Sequence, residues 1–466
     1  MATAPTALGA SSAPYPMPAF AILIEGTRVY GNALIAVLPR FAFRSEEPGQ
    51  MNLLWLTHAI PYPPKAGFLS RTYNLLREVG RRHEVDLISF IQEPWIRTHF
   101  PTVEEGIEES RRALGSICRR VTFLPIDRMR LRLGKHITAL NALLTGKTYT
   151  ATWLLSASAR RAIAEEMLRN RYALVHFDTI GLAPYRDLAT RVPAILTHHN
   201  IESHMMMRRA DNAMNTAARA YFRLEARRLE AFERRIAPAY AAHITCSELD
   251  TERLRRIVKG ASVVTIPNGV DCDFFNAEHA RTRPNSAVFV GTMNWYPNID
   301  AMQFFLREIW PQLRARVPDA TMDIGGSNPP EDLIRLARSL PGVTVHGYLP
   351  DVRPLIDSAA VFVCPIRDGG GTKLKILDAF AMKKCVVAHP IACEGIDVTA
   401  GRDVVLASTP EEFVSQMSRL FANERERVDI GTAARQLVEK HYSFRQLGER
   451  LNATIEDVVQ RHETQR

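Results

Sequence analysis

Cysteine is scarce: six residues in 466, Cys118, Cys246, Cys272, Cys364, Cys385 and Cys393, with no C-x-x-C pair among them. That spacing excludes the dense disulfide framework of a small secreted scaffold, and reduced thiols lead to the expectation of a cytoplasmic chain. Long apolar runs are missing as well. The stretch AFAILIEGTRVYGNALIAVLPRF is broken by Glu25 and Arg28, and its pieces fall short of the roughly 18–20 residues a spanning helix needs. The start, MATAPTALGASSAPYPMP, lacks the basic opening of a signal peptide. Neither G-x-x-x-x-G-K-[ST] nor G-x-G-x-x-G is matched around the chain's glycine cluster, so no Walker loop or dinucleotide fingerprint lies there. Two adjacent histidines with distant acids give no metal-ligand spacing. Aromatic residues make up 8% and do not interleave with a basic stripe, which leaves nucleic-acid binding suggested by charge alone.

What is present is the composition of a globular protein, 46% hydrophobic and 23% charged, with 59 Lys plus Arg against 50 Asp plus Glu. The length exceeds one ordinary core and implies two domains. The net +9 favours anionic partners without choosing among them. From Met51 onward, short aliphatic runs alternate with helix-like segments. Six runs (52–58, 84–90, 121–126, 173–178, 193–199, 241–247) form a first series. SVVTIPNG (262–269), 286–293, 320–326, 343–349, 359–365, 384–390 and 403–407 form a second. Helices are expected at 70–82, 303–317, 330–340 and 374–383. Such alternation predicts an α/β protein of two doubly wound parallel sheets, with ligands beyond the carboxyl ends of the strands. The expected division is 1–50 as an extension outside the fold, 51–270 as the first domain, 271–440 as the second and 441–466 as a helix packing back on the first. The polar stretch 270–286 reads as the hinge.

The segment RDGGGTKLKILDAFA (367–381) puts three glycines between an apolar strand and a helix. A helix N-terminus offers unpaired N–H groups and partial positive charge, and glycines admit an anion to the main chain. Gly369, Gly370, Gly371, Thr372 and Leu374 are therefore candidates for holding phosphate, with Lys373 adding a point charge. Asp378, about a turn further on, can accept from ribose hydroxyls.

This segment, continued as PIRDGGGTKLKILDAFAMKKCVVAHPIACEG, resembles the nucleotide-sugar segment of the group 1, or family four, retaining glycosyltransferases of the GT-B fold. Further matches follow in order. LTHAIPYPPKAGFLSRTYNLLREVGRRHEVDLISF (56–90) is similar to the opening βαβ unit, LTHHNIES (196–203) and ITCSELD (244–250) to two later strand ends, IPNGVDCDFF (266–275) to the interdomain linker, FVGTMNWYPNIDAMQFF (289–305) to the first strand and turn of the second domain, and VTVHGYLPDV (343–352) to its base-binding strand. The narrower likeness is to bacterial sugar transferases of exopolysaccharide and envelope assembly, of the exosortase-linked type.

The resemblance implies transfer of a sugar from a nucleoside diphosphate to a glycan or lipid-linked acceptor with retention of configuration. It implies no metal and no cofactor, the nucleotide-sugar being a substrate. It adds Gly67, Asn268, Gly291, Gly347 and Leu349 to the donor-binding set and His199 to the catalytic pair with Lys373. Glu202 lies close enough in sequence to orient His199, and a carboxylate at a helix start explains it equally well. Two departures stand out. The family's E-x7-E motif has Gly370 at its first acidic position and Asp378 at its second, and no basic residue occurs from Gly291 to Phe305. Asp271 and Asp273 spell a D-x-D but sit in the linker, so a structural role is expected. The Met- and Arg-rich segment 205–236 reads as one solvated helix packed by one face on the first domain; the sharper alternative sets its basic side against an anionic membrane at the inner face. A sugar-nucleotide epimerase of the same fold and a non-catalytic sugar-nucleotide-binding protein are the alternatives.

Overall fold

The computed structural model describes residues 28–30, 33–35, 49–65, 67–127, 134–213, 215–277, 282–369 and 371–465. Within the extension, β1 (Arg28–Tyr30) and β2 (Ala33–Ile35) pair antiparallel.

The first large sheet follows from runs such as Leu53-Leu54-Trp55-Leu56, all at most 1% exposed. Strands apolar on both faces must be covered on both, which helices after each strand accomplish. Its members are β3 (Asn52–Thr57), β4 (Glu84–Ile91), β5 (Arg120–Pro125), β6 (Leu174–Phe177), β7 (Ala194–His198), β8 (Ala242–Thr245) and β9 (Val263–Thr265). They are all parallel, in spatial order β5-β4-β3-β6-β7-β8-β9. The segment 262–269, expected to open the second series, instead supplies β9. Val263–Thr265 pairs in register with β8, so the first sheet closes there.

The second sheet contains β10 (Arg283–Val290), β11 (Thr321–Gly325), β12 (Val343–Gly347), β13 (Ala359–Cys364), β14 (Val386–Ala388) and β15 (Val405–Leu406), in order β12-β11-β10-β13-β14-β15 and again parallel. Both sheets change winding direction beside their first strand, between β3 and β6 and between β10 and β13. Those are the places where loops diverge and leave room for a ligand.

The expected helix over 303–317 is interrupted by a π turn at Phe305–Ile309 before Trp310–Arg316. Pro311 has no N–H to give and its ring crowds the carbonyl four residues back, so the helix widens there. The expected single helix over 205–236 is two, Glu202–Asp211 and Thr216–Ile236. The second starts where the Asn215 side chain accepts from Ala217 N at 2.8 Å, a cap that favours initiating a new helix over continuing the old one.

The chain crosses between the sheets twice, and the two crossings are bonded to each other. Val270 N donates to Tyr442 O (2.9 Å) and Phe444 N to Val270 O (3.1 Å). The hinge segment expected at 270–286 thus begins in a pinned crossing. Arg71 fastens its approach by donating to Ile266 O and Pro267 O at 2.7 and 2.6 Å. Asp271 is held by Arg77 at 2.8 Å. The last helix, Phe444–Thr464, buries Phe444, Leu447, Leu451 and Ile455 in the first sheet's core. Gly448 permits this approach, because a Cβ there would stand 2.3 Å from Glu78 Cβ.

Candidate active site

At the carboxyl ends of the strands flanking the first sheet's switch point stand His58, Asp178 and His199, following β3, β6 and β7. Asp178 is 3% exposed; its Oδ2 accepts from Thr72 Oγ1 at 2.7 Å and lies 3.3 Å from His199 Nε2. Burial, the largest single influence, opposes a charge on His199, but the Asp178 carboxylate and the Cys246 sulfur beside it together raise the imidazole to about 10. His58 moves the other way, to about 4, through burial and the neighbouring positive His199. The site therefore holds His199 as a charged donor at neutral pH. His198, the other member of the pair, points the opposite way along the strand pleat, to His243 Nδ1 at 3.1 Å. Among the described residues Glu202, expected to orient His199, makes no hydrogen bond to it; it stands near enough only to feel its charge. Asp178, a residue that sequence reading left unmarked, does that work. Phe68 lies between, with ring centroids 4.8 Å from His58 and 6.2 Å from His199, and Trp95 stands edge-on to it at 5.5 Å.

At the second sheet's switch point, Gly291 follows the end of β10, and Pro365 follows the end of β13 and leads into the glycine turn. The helix Leu374–Ala381 that follows has Lys373 as its N-cap, without a side-chain hydrogen bond to its first N–H groups. No side chain occupies those donors, as an anion corner requires, while Ile376 N turns back to Lys373 O at 2.9 Å. Gly369 and Gly371 take φ values of +102° and +78°, which side chains with a Cβ adopt at a cost; Gly370 lies outside the described residues. Lys373 Nζ donates to Gly369 O and Gly371 O at 2.6 and 2.9 Å, bracing the turn. Thr372 is packed against Gly395, where a Cβ would come 3.0 Å from its Oγ1. Burial raises the Asp378 carboxyl to about 7, with Lys375 opposing.

Lys375 was not marked by sequence reading. Its Nζ donates to Asn298 Oδ1 at 2.5 Å and stands 4.3 Å from the centre of the Phe289 ring. A Cβ on Gly291 would lie 2.6 Å from that nitrogen. Gly347 (φ +69°) accepts from Gly326 N at 2.8 Å, and Leu349 packs near Gly325, so both belong to the same strand-end rim. Asn268 is away from it, on the crossing segment beside Arg71. Among the described residues no group of three or more His, Cys, Asp or Glu side chains gathers as a metal site.

The two halves approach each other at this point. A Cβ on Gly67, the first residue of the helix Gly67–Gly80, would be 3.7 Å from Leu374 Cδ1. Arg208 is close enough to Lys373 to disfavour its charge. Two facing doubly wound sheets with helix starts converging between them define the GT-B glycosyltransferase fold.

Comparison with known proteins agrees. Residues 67–274 match the family model "Glycosyltransferase Family 4" and residues 284–423 match "Glycosyl transferases group 1". The chain belongs to the group 1 glycosyltransferases. It is 27% identical over 333 residues to a GDP-mannose-dependent alpha-(1-6)-phosphatidylinositol monomannoside mannosyltransferase of Mycolicibacterium smegmatis, covering 62% of this chain and 85% of that protein. It is 22% identical over 169 residues to an uncharacterized 44.6 kDa protein in the cps region of Klebsiella pneumoniae, covering 35% of this chain and 44% of that protein. Among solved structures, a glycosyltransferase from Rickettsia africae superimposes with a TM-score of 0.59 at 12% identity, covering 88% of this chain and 99% of that one. Anabaena HepE in complex with UDP gives 0.57 at 12% identity over 87% and 100%.

Proposed function

We propose that the protein moves a sugar from a nucleoside-diphosphate sugar to a glycan or lipid-linked acceptor, with retention of configuration, in polysaccharide or envelope assembly. The observation that carries this is the convergence of the uncapped helix start at Leu374 with Gly67 across the two halves. An anion bound there reaches N–H donors of one half and the catalytic histidine of the other. In the reaction the bond from the anomeric carbon to the diphosphate oxygen breaks, and a bond to the acceptor oxygen forms on the same face. The acceptor proton passes to the departing phosphate oxygen. Charge grows on the leaving diphosphate, where the Leu374 helix start and Lys373 stabilise it. His199, charged through Asp178, donates a hydrogen bond to the donor sugar near the reacting carbon. The scheme uses no metal, since lysine and helix charge meet the diphosphate.

UDP-glucose and GDP-mannose are the donors to try first, because the names of the similar proteins carry UDP and GDP-mannose. Incubation of either with an oligosaccharide or polyprenyl-phosphate-sugar acceptor should yield a product whose anomeric configuration, read by NMR, equals the donor's. Isomerised donor without transfer would favour the epimerase instead.

A membrane-embedded acceptor is favoured by one surface. On the helix Gly134–Leu144, Ile137, Leu140 and Leu144 are 54%, 57% and 77% exposed. Arg228 of the Arg-rich helix Thr216–Ile236 donates to Leu143 O at 3.4 Å, which sets basic and apolar groups side by side, as interfacial binding requires. Among the described residues no helix is long and apolar enough to cross a membrane. Flotation with phosphatidylglycerol vesicles should capture the protein in a salt-sensitive way, and Leu140→Glu/Leu144→Glu should release it. Equal recovery with and without vesicles contradicts this.

A further inference from the structure

We propose that Lys375 is a second phosphate ligand of the donor site, its ammonium group beside Gly291 meeting the diphosphate from the turn after β10 while Lys373 meets it from the turn after β13. The inference rests on the nucleotide-sugar reading above and assigns a role to a residue outside the set read from sequence.

Its first support is position. The turn that follows β10 carries no cation of its own, since no basic residue occurs between Gly291 and Phe305. Lys375 reaches into that place from the neighbouring helix. Asn298, fixed by its own bond from Nδ2 to Thr292 O at 2.8 Å, holds the ammonium nitrogen against Gly291. Only a glycine leaves the room: a Cβ at 291 would come within 2.6 Å of Nζ and 2.9 Å of Asn298 Nδ2.

Its second support is charge with no carboxylate in contact. Among the described residues neither Lys373 nor Lys375 forms an ion pair with a carboxylate; their hydrogen bonds go to Gly369 O, Gly371 O and Asn298 Oδ1. Lys373 is near enough to disfavour the charge on Lys375. Burial, with Lys373 adding to it, lowers Lys375 to about 8. The groups facing Lys375 are Asp378 on its own helix, Cys364 from β13 and Lys373. Asp378, the carboxyl that acts on Lys375, is itself raised to about 7, so it neutralises that lysine incompletely. Glu394 and Asp368 lie near enough to favour the charge on Lys373, but no carboxylate touches either lysine, and holding two neighbouring cations out of water costs stability that a diphosphate arriving between the two turns removes. A lysine serving only to tie the 292–298 turn to the helix would do as well uncharged, and that separates the two roles.

The experiment is a calorimetric titration of wild type and Lys375→Met with UDP, GDP, ADP and CDP, each beside its mononucleotide and nucleoside. For the diphosphate that binds wild type, Lys375→Met should lose about 10- to 100-fold in affinity, as expected for a charge-assisted hydrogen bond. The nucleoside should bind both proteins alike, and the unliganded melting temperature should be equal or higher in the variant. Wild-type diphosphate affinity should fall as pH rises through about 8, and the variant should lack that dependence. Gly291→Ala, which fills the space beside Nζ, is an independent second variant expected to show the same selective loss. Unchanged diphosphate affinity, or equal losses for diphosphate and nucleoside, overturns the role of Lys375 while leaving the donor reading intact. Binding of no diphosphate by wild type overturns both.

Discussion

Gly67 and Leu374, 307 positions apart in the chain, come together with only van der Waals space between a Cβ at 67 and Leu374 Cδ1, 3.7 Å. Each opens a helix that follows a strand at the switch point of its own sheet, so the positive ends of two helices meet where the halves meet. A larger side chain at 67 fills that space. Gly67→Ala should keep donor affinity within about threefold, an ordinary contact at that distance, whereas Gly67→Phe should weaken it by more than tenfold. Titration of both variants with nucleoside diphosphate checks this.

Lys373→Ala should lower kcat/KM by about 100-fold, because it removes a charge at the developing negative end of the reaction and the brace on Gly369 and Gly371. Asp273→Ala should stay within about twofold of wild type. Asp273 is exposed in the linker, and the structural carboxylate there is Asp271, tied to Arg77. Equal losses in the two variants would remove the distinction between site and linker.

The His199–Asp178 pair gives a pH signature whose sign is fixed. His199 has a folded value of about 10, above its unfolded value of 6.5. Its stabilising contribution is therefore full below about pH 6.5 and falls away as pH rises toward 10. Asp178→Asn removes the largest influence favouring that charge, so His199 should shift toward its neutral form near pH 7. Melting temperatures of wild type and Asp178→Asn should differ more at pH 6 than at pH 9.5. Turnover by the variant should fall between pH 6 and 8, where wild type is flat. A wild-type inflection near pH 6.5 assigned to His199 by NMR contradicts the pairing.

Gly326→Ala should be destabilising by more than about 2 kcal/mol. Its Cβ would sit 1.8 Å from Gly291 O at φ +150°, and neither strand end can retreat without breaking the bond from Gly291 N to Gly325 O. Urea denaturation reads this directly.

Activity should persist in excess EDTA, since the proposed electrostatics use lysines and a helix start. Abolition by chelator with rescue by a divalent ion would place a metal in the reaction.

Much of this was legible in the sequence because strands apolar on both faces and a glycine turn before a helix are local signals. β3 through β8 and β10 through β15 fall on the runs read as strands, and the Leu374 helix begins where the glycines end. What escaped depends on contacts between distant segments. Asp178 reaches His199 because β6 and β7 are neighbours in the sheet, and Lys375 reaches Asn298 across 77 positions through the pairing of β10 with β13. Neither residue type is unusual where it stands. The break at 212–215 did leave a trace, since the asparagines in ADNAMNT are residues that end and cap helices. β9 reads with the second series in the sequence because its three residues carry no mark of which sheet they will join.

The measurement closest to the central claim is a thermal-shift comparison of wild type and Lys373→Ala against UDP, GDP, ADP and CDP, because a ligand that binds the folded state raises its melting temperature by mass action. One diphosphate should raise the wild-type midpoint by several degrees at 100-fold excess over its Kd and leave Lys373→Ala nearly unmoved. Equal shifts in the two proteins, or no shift with any of the four, would contradict a diphosphate cradle at this corner.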